Sequence, residues 1–436
     1  MSKSEKYTLI VGMGKVGKAV AKFLKKQGKN IVITDRDISK KPDGDIFENQ
    51  GIKTEIGFHN LKTFENAGLI IVSPGVPLDI AELKKARKKG IKITGELDTI
   101  SEMIDIPIVA VTGTNGKTTT TILLGDMLKE SGFNVFVCGN IGTPIVDYLS
   151  FQNADILVAE ISSFQLDTSD KFKPDVAVLL NIAEDHLDRY DSYDDYVLSK
   201  WSIFKNQTEE QIAIVNAKID NCDAASATIN SKISYYNKDN NNSVSYLSIA
   251  DSKIDLGSTK LKGAHNKENI AAAILATLAS KGNMEGVYKA LKNFTPPAHR
   301  LEFVKSINQV DFYNDSKATN PDAVKRAIEC FDNRVLLIMG GLEKGTDFIP
   351  LKKTLKTKIK TLFVMGEAKD KIIKAFSDVC KIVHAVSMED AVKLAYATSA
   401  KGDIVLLSPG CASFDMYSSY SQRGDDFKKQ VERLEN

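Results

Sequence analysis

Short apolar runs recur along the chain, and most are followed by small and polar residues and then by a stretch with helical spacing. Runs of this length, bounded by turn residues, are typical of strands that are buried on both faces of a parallel sheet. They lie at 7–11, 31–34, 69–72, 106–111, 135–137, 156–159, 176–180, 310–313, 335–339, 361–364 and 404–407. Strands that alternate with helices predict an α/β fold with mostly parallel sheets and flanking helices.

Two breaks divide this alternation into three units. The strand at 91–94 closes the first unit, and the paired prolines at 296–297 lie in a linker before the third. A chain of 436 residues is also too long for one ordinary core. We therefore expect a Rossmann-like domain at 1–94, a P-loop ATPase-like domain at 95–298 and a second Rossmann-like domain at 299–436.

Composition excludes several classes of protein. Lys plus Arg (58) nearly balances Asp plus Glu (56), so a net charge of +2 gives no reason to expect nucleic acid or an acidic membrane as partner. Five scattered cysteines, an odd number, favour neither disulfides nor structural zinc. Since no apolar run is long enough for membrane insertion and no signal peptide is apparent, we expect a cytoplasmic protein.

The chemistry of the chain centres on residues 112–119, Thr-Gly-Thr-Asn-Gly-Lys-Thr-Thr. They join the apolar run at 106–111 to a helical stretch, and this arrangement of strand, glycine loop and helix N-terminus is typical of phosphate-binding sites. Lys117 would reach the outer phosphates of ATP or GTP, and Thr118 would bind magnesium. The loop is a shortened variant, because Val111 stands where the general motif has glycine.

A second nucleotide signature opens the chain. Residues 12–17, Gly-Met-Gly-Lys-Val-Gly, follow the first strand, and Asp35 follows the second strand. This spacing is typical of a dinucleotide-binding fingerprint, in which the acidic residue meets a sugar or base. The pattern does not specify the nucleotide.

Polar residues also collect where strands of the second unit end. Glu160 would supply a magnesium ligand, and His186 is either a ligand or a capping or core histidine. Asn266 and Asn269 would lie on one side of a helix near its start, as site residues or as helix caps. On composition alone, Lys200 is an exposed helix lysine.

Four motifs together resemble the Mur ligase family of ATP-dependent peptidoglycan ligases. They are the loop at 112–119, His-Asn-Lys-Glu-Asn at 265–269, His-Arg at 299–300 and Asn-Asp-Ser-Lys-Ala-Thr-Asn at 314–320. The last motif and Ser-Pro-Gly-Cys-Ala-Ser-Phe-Asp at 408–415 look like the branch that adds D-glutamate. The resemblance covers essentially the whole chain. It implies that ATP activates UDP-N-acetylmuramoyl-L-alanine as an acyl phosphate, which the amino group of D-glutamate then attacks.

The resemblance also implies a role for individual residues. Lys117, His186, Lys200 and Arg300 would be catalytic, with two magnesium ions held by Thr118 and Glu160 and by His186 and a carbamylated Lys200. ATP would be bound by Gly113, Thr114, Asn115, Gly116, Lys117, Thr118, Thr119, Asn266, Asn269, Arg300 and Asp315. The UDP substrate would be bound by Gly14, Lys15, Val16, Asp35, Arg36, Ser73, Gly75, Asn140 and His186. D-Glutamate would be bound by Lys317, Thr319, Lys344, Ser413 and Tyr420, the last of which stands where we expect Phe.

Three other interpretations remain at this point. The chain could be a related ligase, either one that adds a different amino acid or folylpolyglutamate synthase. It could be an NAD-dependent oxidoreductase, if the fingerprint at 12–17 with Asp35 carried the function. It could also be a nucleotide-gated binding module without chemistry. We expect a monomer that acts on small-molecule substrates.

Overall fold

The computed structural model describes residues 6–40, 47–151, 153–237, 246–249, 252–256, 259–345 and 347–435. Its strands form three large sheets, and each sheet draws its strands from one continuous part of the chain. The predicted α/β fold is therefore confirmed. The division into three sheets agrees with three units, while the boundaries at 94 and 298 stay predictions.

The first sheet is wholly parallel, with strand order β3-β2-β1-β4-β5. Its elements are β1 (Thr8–Val11), α1 (Lys15–Lys26), β2 (Ile31–Asp35), β3 (Lys53–Ile56), α2 (Leu61–Glu65), β4 (Leu69–Val72), α3 (Ala81–Lys88) and β5 (Lys92–Thr94). The order changes direction at β1, so the glycine loop between β1 and α1 lies where ligands bind in such sheets.

The second sheet is also parallel, with strand order β11-β10-β9-β6-β8-β7. A short antiparallel pair, β12-β13, accompanies it. The elements are α4 (Glu96–Ile100), β6 (Ile108–Thr112), α5 (Lys117–Glu130), β7 (Val135–Gly139), α6 (Tyr148–Phe151), β8 (Ile156–Glu160), α7 (Ser163–Leu166), β9 (Val176–Leu179), α8 (Tyr193–Trp201), β10 (Ile212–Asn216), α9 (Cys222–Ser226), β11 (Lys232–Tyr236), β12 (Tyr246–Ile249), β13 (Ser252–Asp255), α10 (Ala264–Ala279) and α11 (Met284–Asn293).

The third sheet has strand order β14-β15-β19-β16-β17-β18, in which only β14 runs antiparallel to its neighbour. Its elements are β14 (Glu302–Ile307), β15 (Val310–Asn314), α12 (Pro321–Ile328), β16 (Val335–Gly340), α13 (Lys352–Lys358), β17 (Ile359–Met365), α14 (Lys369–Phe376), β18 (Lys381–His384), α15 (Met388–Ala397), β19 (Ile404–Leu407) and α16 (Tyr420–Glu432). Single 3-10 turns lie at Ile38–Lys40, Glu48–Gln50, Ser101–Met103, Ile145–Asp147, Ser202–Phe204, Ile349–Leu351 and Arg433–Glu435.

Burial follows the sequence pattern, because the central strands are apolar along their whole length. All of β6 and β16 is buried, as expected for strands covered by helices on both faces. One apolar cluster joins the first two units, with residues such as Ile10 and Ile33 in the same cluster as Ala110 and Leu157. The two apolar clusters of the third unit contain only residues from 301 onward.

Within the described residues, none of the helices is both long and apolar enough to cross a membrane.

Candidate active site

Residues 113–116, which we call the phosphate loop, connect the buried end of β6 to the start of α5. Gly116 caps α5 with a φ of 87°, a left-handed conformation that favours glycine. A Cβ atom at Gly116 would lie 2.2 Å from Oδ1 of Asn269, so α10 packs directly on the loop. Lys117 curls back over the loop, and its Nζ donates to the carbonyl oxygens of Gly113 and Thr114, both at 2.8 Å. The sequence prediction of a strand, a glycine loop and a helix is confirmed as local structure.

Thr118 and Glu160 meet beside this loop, as the magnesium prediction requires. The Thr118 hydroxyl donates to Oε2 of Glu160 at 2.7 Å, and Nδ2 of Asn140 donates to Oε1 at 2.8 Å. Magnesium in nucleotide sites is usually held by one or two carboxylates together with phosphate oxygens and water. Among the described residues, no three His, Cys, Asp or Glu side chains converge on one point. A hydroxyl and one carboxylate beside a phosphate loop nevertheless fit this kind of ion.

Lys200 is 2% exposed, so the compositional interpretation of an exposed helix lysine is wrong. Its Nζ donates to the Gly113 carbonyl at 2.9 Å and lies 4.5 Å from the centre of the Tyr196 ring. Burial, and next the charge of Lys117, holds the pKa of Lys200 well below its usual range. A neutral buried amine is the form that can react with carbon dioxide, so the site fits the carbamylated lysine that the resemblance implies.

His186 lies at the carboxyl end of the second sheet with a φ of 58°. Its Nε2 is 3.7 Å from Oδ2 of Asp185, and its ring packs edge-on against Phe164. Burial lowers the pKa of His186 to about 4, against the opposing effect of Asp185. A neutral imidazole is the form that binds metal, and this histidine is half-buried and not in the core.

A cavity of about 560 Å³ lies between the second and third units. Seven residues predicted to bind ATP line it: Asn115, Gly116, Thr119, Asn266, Asn269, Arg300 and Asp315. Sequence reasoning missed other lining residues, including Lys262, His265, Pro296, Tyr313, Cys330 and Phe331. Two of them carry a usable signal. Tyr313 stands near the end of an apolar strand, where ligands bind in such sheets, and His265 opens the motif at 265–269.

The polar groups of this cavity hold one another in place. Nδ2 of Asn269 donates to Oδ1 of Asn266 at 3.1 Å, and Nδ2 of Asn266 donates to the Lys262 carbonyl at 2.8 Å. The carboxylate of Asp315 accepts from the Leu301 N–H at 3.1 Å and from the Ser408 hydroxyl at 3.0 Å. Burial raises the pKa of Asp315 to about 7. The paired asparagines are therefore more than helix caps, because they join the loop to the cavity wall.

The residues predicted to bind D-glutamate lie at the carboxyl ends of the third sheet. Nζ of Lys317 is 3.7 Å from the centre of the Tyr420 ring, and burial lowers the pKa of Lys317 to about 8. Nζ of Lys344 lies 3.3 Å from Oδ1 of Asp185, so it reaches the second unit. Ser413 is buried, and Thr319 is half-buried in the loop before α12.

Sequence reasoning missed Arg423, which organises the same edge. It is 3% exposed, and its guanidinium donates to the hydroxyl and carbonyl oxygens of Ser316 and to the carbonyls of Cys411 and Ala412. A single arginine near a helix start carries no sequence signal for such a role.

The first unit gathers most of its predicted residues around the glycine loop. Both oxygens of Asp35 accept backbone N–H groups, from Met13 at 2.7 Å and from Asp37 at 2.9 Å. The Ser73 hydroxyl donates to the Gly12 carbonyl at 3.0 Å. Gly14 caps α1, whose Val16 packs against the apolar cluster. Asp35 and Ser73 therefore shape the loop, and their contact with a ligand stays a prediction.

The other predicted residues of the first unit contact protein groups outside the glycine loop. Nζ of Lys15 donates to the Gly142 carbonyl at 2.6 Å, and the Gly75 carbonyl accepts from Arg189 at 3.1 Å. Both contacts cross to the second unit. Arg36 instead pairs with both oxygens of Glu82 at 2.9 Å, and its side chain is 56% exposed to solvent.

Comparisons with known proteins follow the same three units. Residues 6–95 match the model "Mur ligase MurD-like, N-terminal domain", residues 111–277 match "Mur ligase middle domain", and residues 299–411 match "Mur ligase, glutamate ligase domain". The chain is similar to a UDP-N-acetylmuramoylalanine--D-glutamate ligase of Desulfosudis oleivorans, with 45% identity over 98% of this chain and 96% of that protein. A protein with the same name from Desulfatibacillum aliphaticivorans is 42% identical over 98% of each chain.

Solved structures agree with the fold. A pseudomurein peptide ligase type C from Methanothermus fervidus covers 99% of this chain and 100% of its own, with a TM-score of 0.62 and 20% identity. At that identity the likeness concerns the fold alone. The sequence relatives carry the assignment further: the chain belongs to the Mur ligase family and, within it, to the D-glutamate ligases.

Proposed function

We propose that the chain is an ATP-dependent ligase that joins D-glutamate to UDP-N-acetylmuramoyl-L-alanine in peptidoglycan precursor synthesis. One observation carries the proposal: the phosphate loop of the second unit and the cationic edge of the third unit face the same space. Asp185 of the second unit contacts Lys344 of the third. Lys317 lines the same cavity as Asn115 and Gly116 of the loop. Full-length relatives that are named for this activity support it.

The reaction begins with two anions that must approach each other. A carboxylate oxygen of the UDP substrate attacks the γ-phosphorus of ATP, and the bond to ADP breaks. Lys117 and Arg300 supply positive charge where these anions meet, which lowers the electrostatic barrier to their approach. Asn266, Asn269 and Asp315 would hold the nucleoside part of ATP in the cavity between the units.

The second step joins the amino acid. The neutral amine of D-glutamate attacks the acyl carbon, phosphate leaves, and the nitrogen loses a proton to give the amide. The two carboxylates of D-glutamate require cations and hydrogen-bond donors. Lys317 and Lys344 would provide charge, and Thr319, Ser413 and Tyr420 would orient the molecule.

Two magnesium ions would be bound beside the loop, the first by Thr118 and Glu160 and the second by His186 and carbamylated Lys200. Bound there, they would neutralise the phosphate and carboxylate oxygens. Lys200 is suited to carbamylation because its amine is buried and held by the Gly113 carbonyl. The carbamate changes the side chain from a cation to the anion that a metal requires.

The UDP part of the substrate would lie over the first unit, near the residues predicted from the fingerprint: Gly14, Lys15, Val16, Asp35, Arg36, Ser73 and Gly75. Its muramoyl-alanine part would extend toward Asn140 and His186. We further propose domains at 1–94, 95–298 and 299–436, a cytoplasmic location and a monomeric enzyme.

The test is phosphate release from ATP and magnesium with UDP-N-acetylmuramoyl-L-alanine, with D-glutamate, L-glutamate, L-alanine and meso-diaminopimelate in parallel. The proposal expects release that requires both the UDP substrate and D-glutamate. Release with another amino acid would keep the ATP chemistry and overturn the third-unit assignments. No release with any of them, together with tight NADH binding, would favour the oxidoreductase. ATP binding without substrate-dependent release would favour a binding module.

A further inference from the structure

The phosphate loop touches the third unit through the side chain of Asn115. Nδ2 of Asn115 donates to Oδ2 of Asp322 at 2.8 Å, and Asn115 and Asn320 exchange amide hydrogen bonds at 3.2 and 3.3 Å. Asn320 caps α12 and Asp322 lies in its first turn, so the start of this helix faces the loop. The contact joins residues that are more than 200 positions apart in the sequence.

The same carboxylate connects to a second contact between the units. Oδ2 of Asp322 also accepts from Nε of Arg326 at 2.7 Å, and Nη1 of Arg326 donates to Oε2 of Glu268 on α10 at 3.2 Å. These side chains are only 19 to 25% exposed. Charged hydrogen bonds that are partly removed from water are stronger than surface ion pairs.

Asn115 is fixed on its other side by its own unit. Its N–H donates to Oδ1 of Asn181 at 2.8 Å, and Nδ2 of Asn181 donates to its carbonyl at 2.9 Å. The backbone of the loop is thus set by the second unit, while the Asn115 side chain is held by the third. A shift of α12 would change the surroundings of the loop directly.

The apolar clusters indicate why this polar contact matters for how the third unit is held against the second. The first and second units share one cluster, whereas the clusters of the third unit contain only its own residues. Interfaces held by polar contacts commonly open and close, and closure of a domain can complete a catalytic site. A contact that holds the third unit against the second would then take part in turnover.

We propose that Asp322 and Arg326 are positioning residues that dock the third unit against the phosphate loop through Asn115 and Glu268. Docking brings Lys317 and Lys344 to the loop, so amide formation depends on it. The activity readout of this proposal rests on the proposed function. Neither residue needs to touch a reacting atom.

The experiment compares Asp322→Ala, Asp322→Asn, Arg326→Gln, Glu268→Gln and the double variant of the last two. The control is Lys325→Gln, an exposed position on the same helix. The readouts are kcat, the KM of each substrate, the melting temperature and the radius of gyration from small-angle X-ray scattering. Glu268→Gln perturbs the contact from the opposite unit, so the test does not depend on the folding of α12 alone.

We expect Asp322→Ala to lower kcat about tenfold, the size of one charge-assisted hydrogen bond. The KM of the UDP substrate should stay within about twofold, because that substrate binds to the first two units. The radius of gyration should rise, and Asp322→Asn should retain more activity than Asp322→Ala because an amide oxygen can still accept from Asn115. The double variant should have a kcat no lower than that of the more impaired single variant. Arg326→Gln and Glu268→Gln both break the same hydrogen bond between these two residues, so their effects should not add.

Several results would overturn the proposal. One is an unchanged kcat in Asp322→Ala. Another is an equal loss of kcat in Lys325→Gln, and a third is an additive loss of kcat in the double variant. Arg326 also lines the nucleotide cavity. A rise in the KM of ATP alone for Arg326→Gln would therefore assign it to nucleotide binding instead. If the wild-type protein formed no amide with D-glutamate, the proposed function would fail, but scattering would still decide whether Asp322 docks the third unit.

Discussion

Replacing Lys317 with methionine is expected to stabilise the free protein at pH 7 while it removes D-glutamate binding. The lysine is enclosed where the third sheet meets the second unit, 3.7 Å from the centre of the Tyr420 ring. Burial, then the neighbouring charges of Arg300 and Lys344, lowers its pKa from 10.5 to about 8. Burial in the folded state therefore disfavours the charged form of the Lys317 amine, which is the form that a dicarboxylate ligand would need.

The size of the effect follows from that pKa. A fall from 10.5 to about 8 corresponds to roughly 3 kcal/mol of unfavourable free energy for the charged amine in the folded state. Methionine fills a similar volume without charge but gives up the attraction to the Tyr420 ring, which is about 1 to 2 kcal/mol. The net gain in the free energy of unfolding is about 1 to 2 kcal/mol.

The gain must depend on pH in a defined direction. Below pH 8 the lysine is charged in the folded and unfolded states, so the penalty is present in full. As the pH rises from 8 to 10.5, the folded state loses its proton first and the penalty disappears. The advantage of Lys317→Met is therefore largest at pH 7 and small near pH 10.

The assay is thermal unfolding of both proteins at pH 7 and pH 9.5, followed by turnover at saturating ATP and UDP substrate. The variant should melt a few degrees higher at pH 7, with a smaller difference at pH 9.5. Its kcat/KM for D-glutamate should fall at least about 100-fold, because the proposed contact with a carboxylate of D-glutamate would be lost. Lys356→Met, at an exposed position of the same unit, should gain nothing. A variant that melts lower at pH 7, or whose gain is equal at both pH values, would refute the reasoning.

Three further predictions concern the phosphate loop. Lys200→Ala should lower turnover by at least about 100-fold, with partial rescue by formate or acetate, since a small carboxylate would take the place of the proposed carbamate as magnesium ligand; normal activity would make the metal assignment wrong. Lys117→Ala should abolish phosphate release while calorimetry finds binding of the UDP substrate within about twofold, whereas loss of both would indicate misfolding. Gly116→Ala should raise the KM of ATP strongly, because its Cβ would lie 2.2 Å from Oδ1 of Asn269. Its control is Gly132→Ala, where φ is also positive, 100°, but no atom lies within 4 Å; similar defects in both variants would place the cause in backbone strain alone.

The sequence alone determined the fold class and the position of the phosphate loop. Both depend on interactions between neighbours in the chain: an apolar run makes a buried strand, glycines permit the turn, and helical spacing follows. The run predicted at 106–111 is found as β6, which begins two residues and ends one residue later, and α5 follows directly after Gly116. The family resemblance predicted Lys200 as a site residue although composition made it an exposed lysine, and the structure buries it against the Gly113 carbonyl.

Only the tertiary structure decided how the three units meet. Nothing local to Asn115 indicates that Asp322 will hold its side chain, and nothing near Arg423 indicates that it will be buried among carbonyl oxygens. The cavity between the second and third units likewise combines Tyr313 and Phe331 with loop and helix residues of the second unit. Such contacts join positions far apart in sequence, so they depend on how the sheets pack and dock. Hydrophobic periodicity reports which face of an element is buried, but it does not report which surface covers that face.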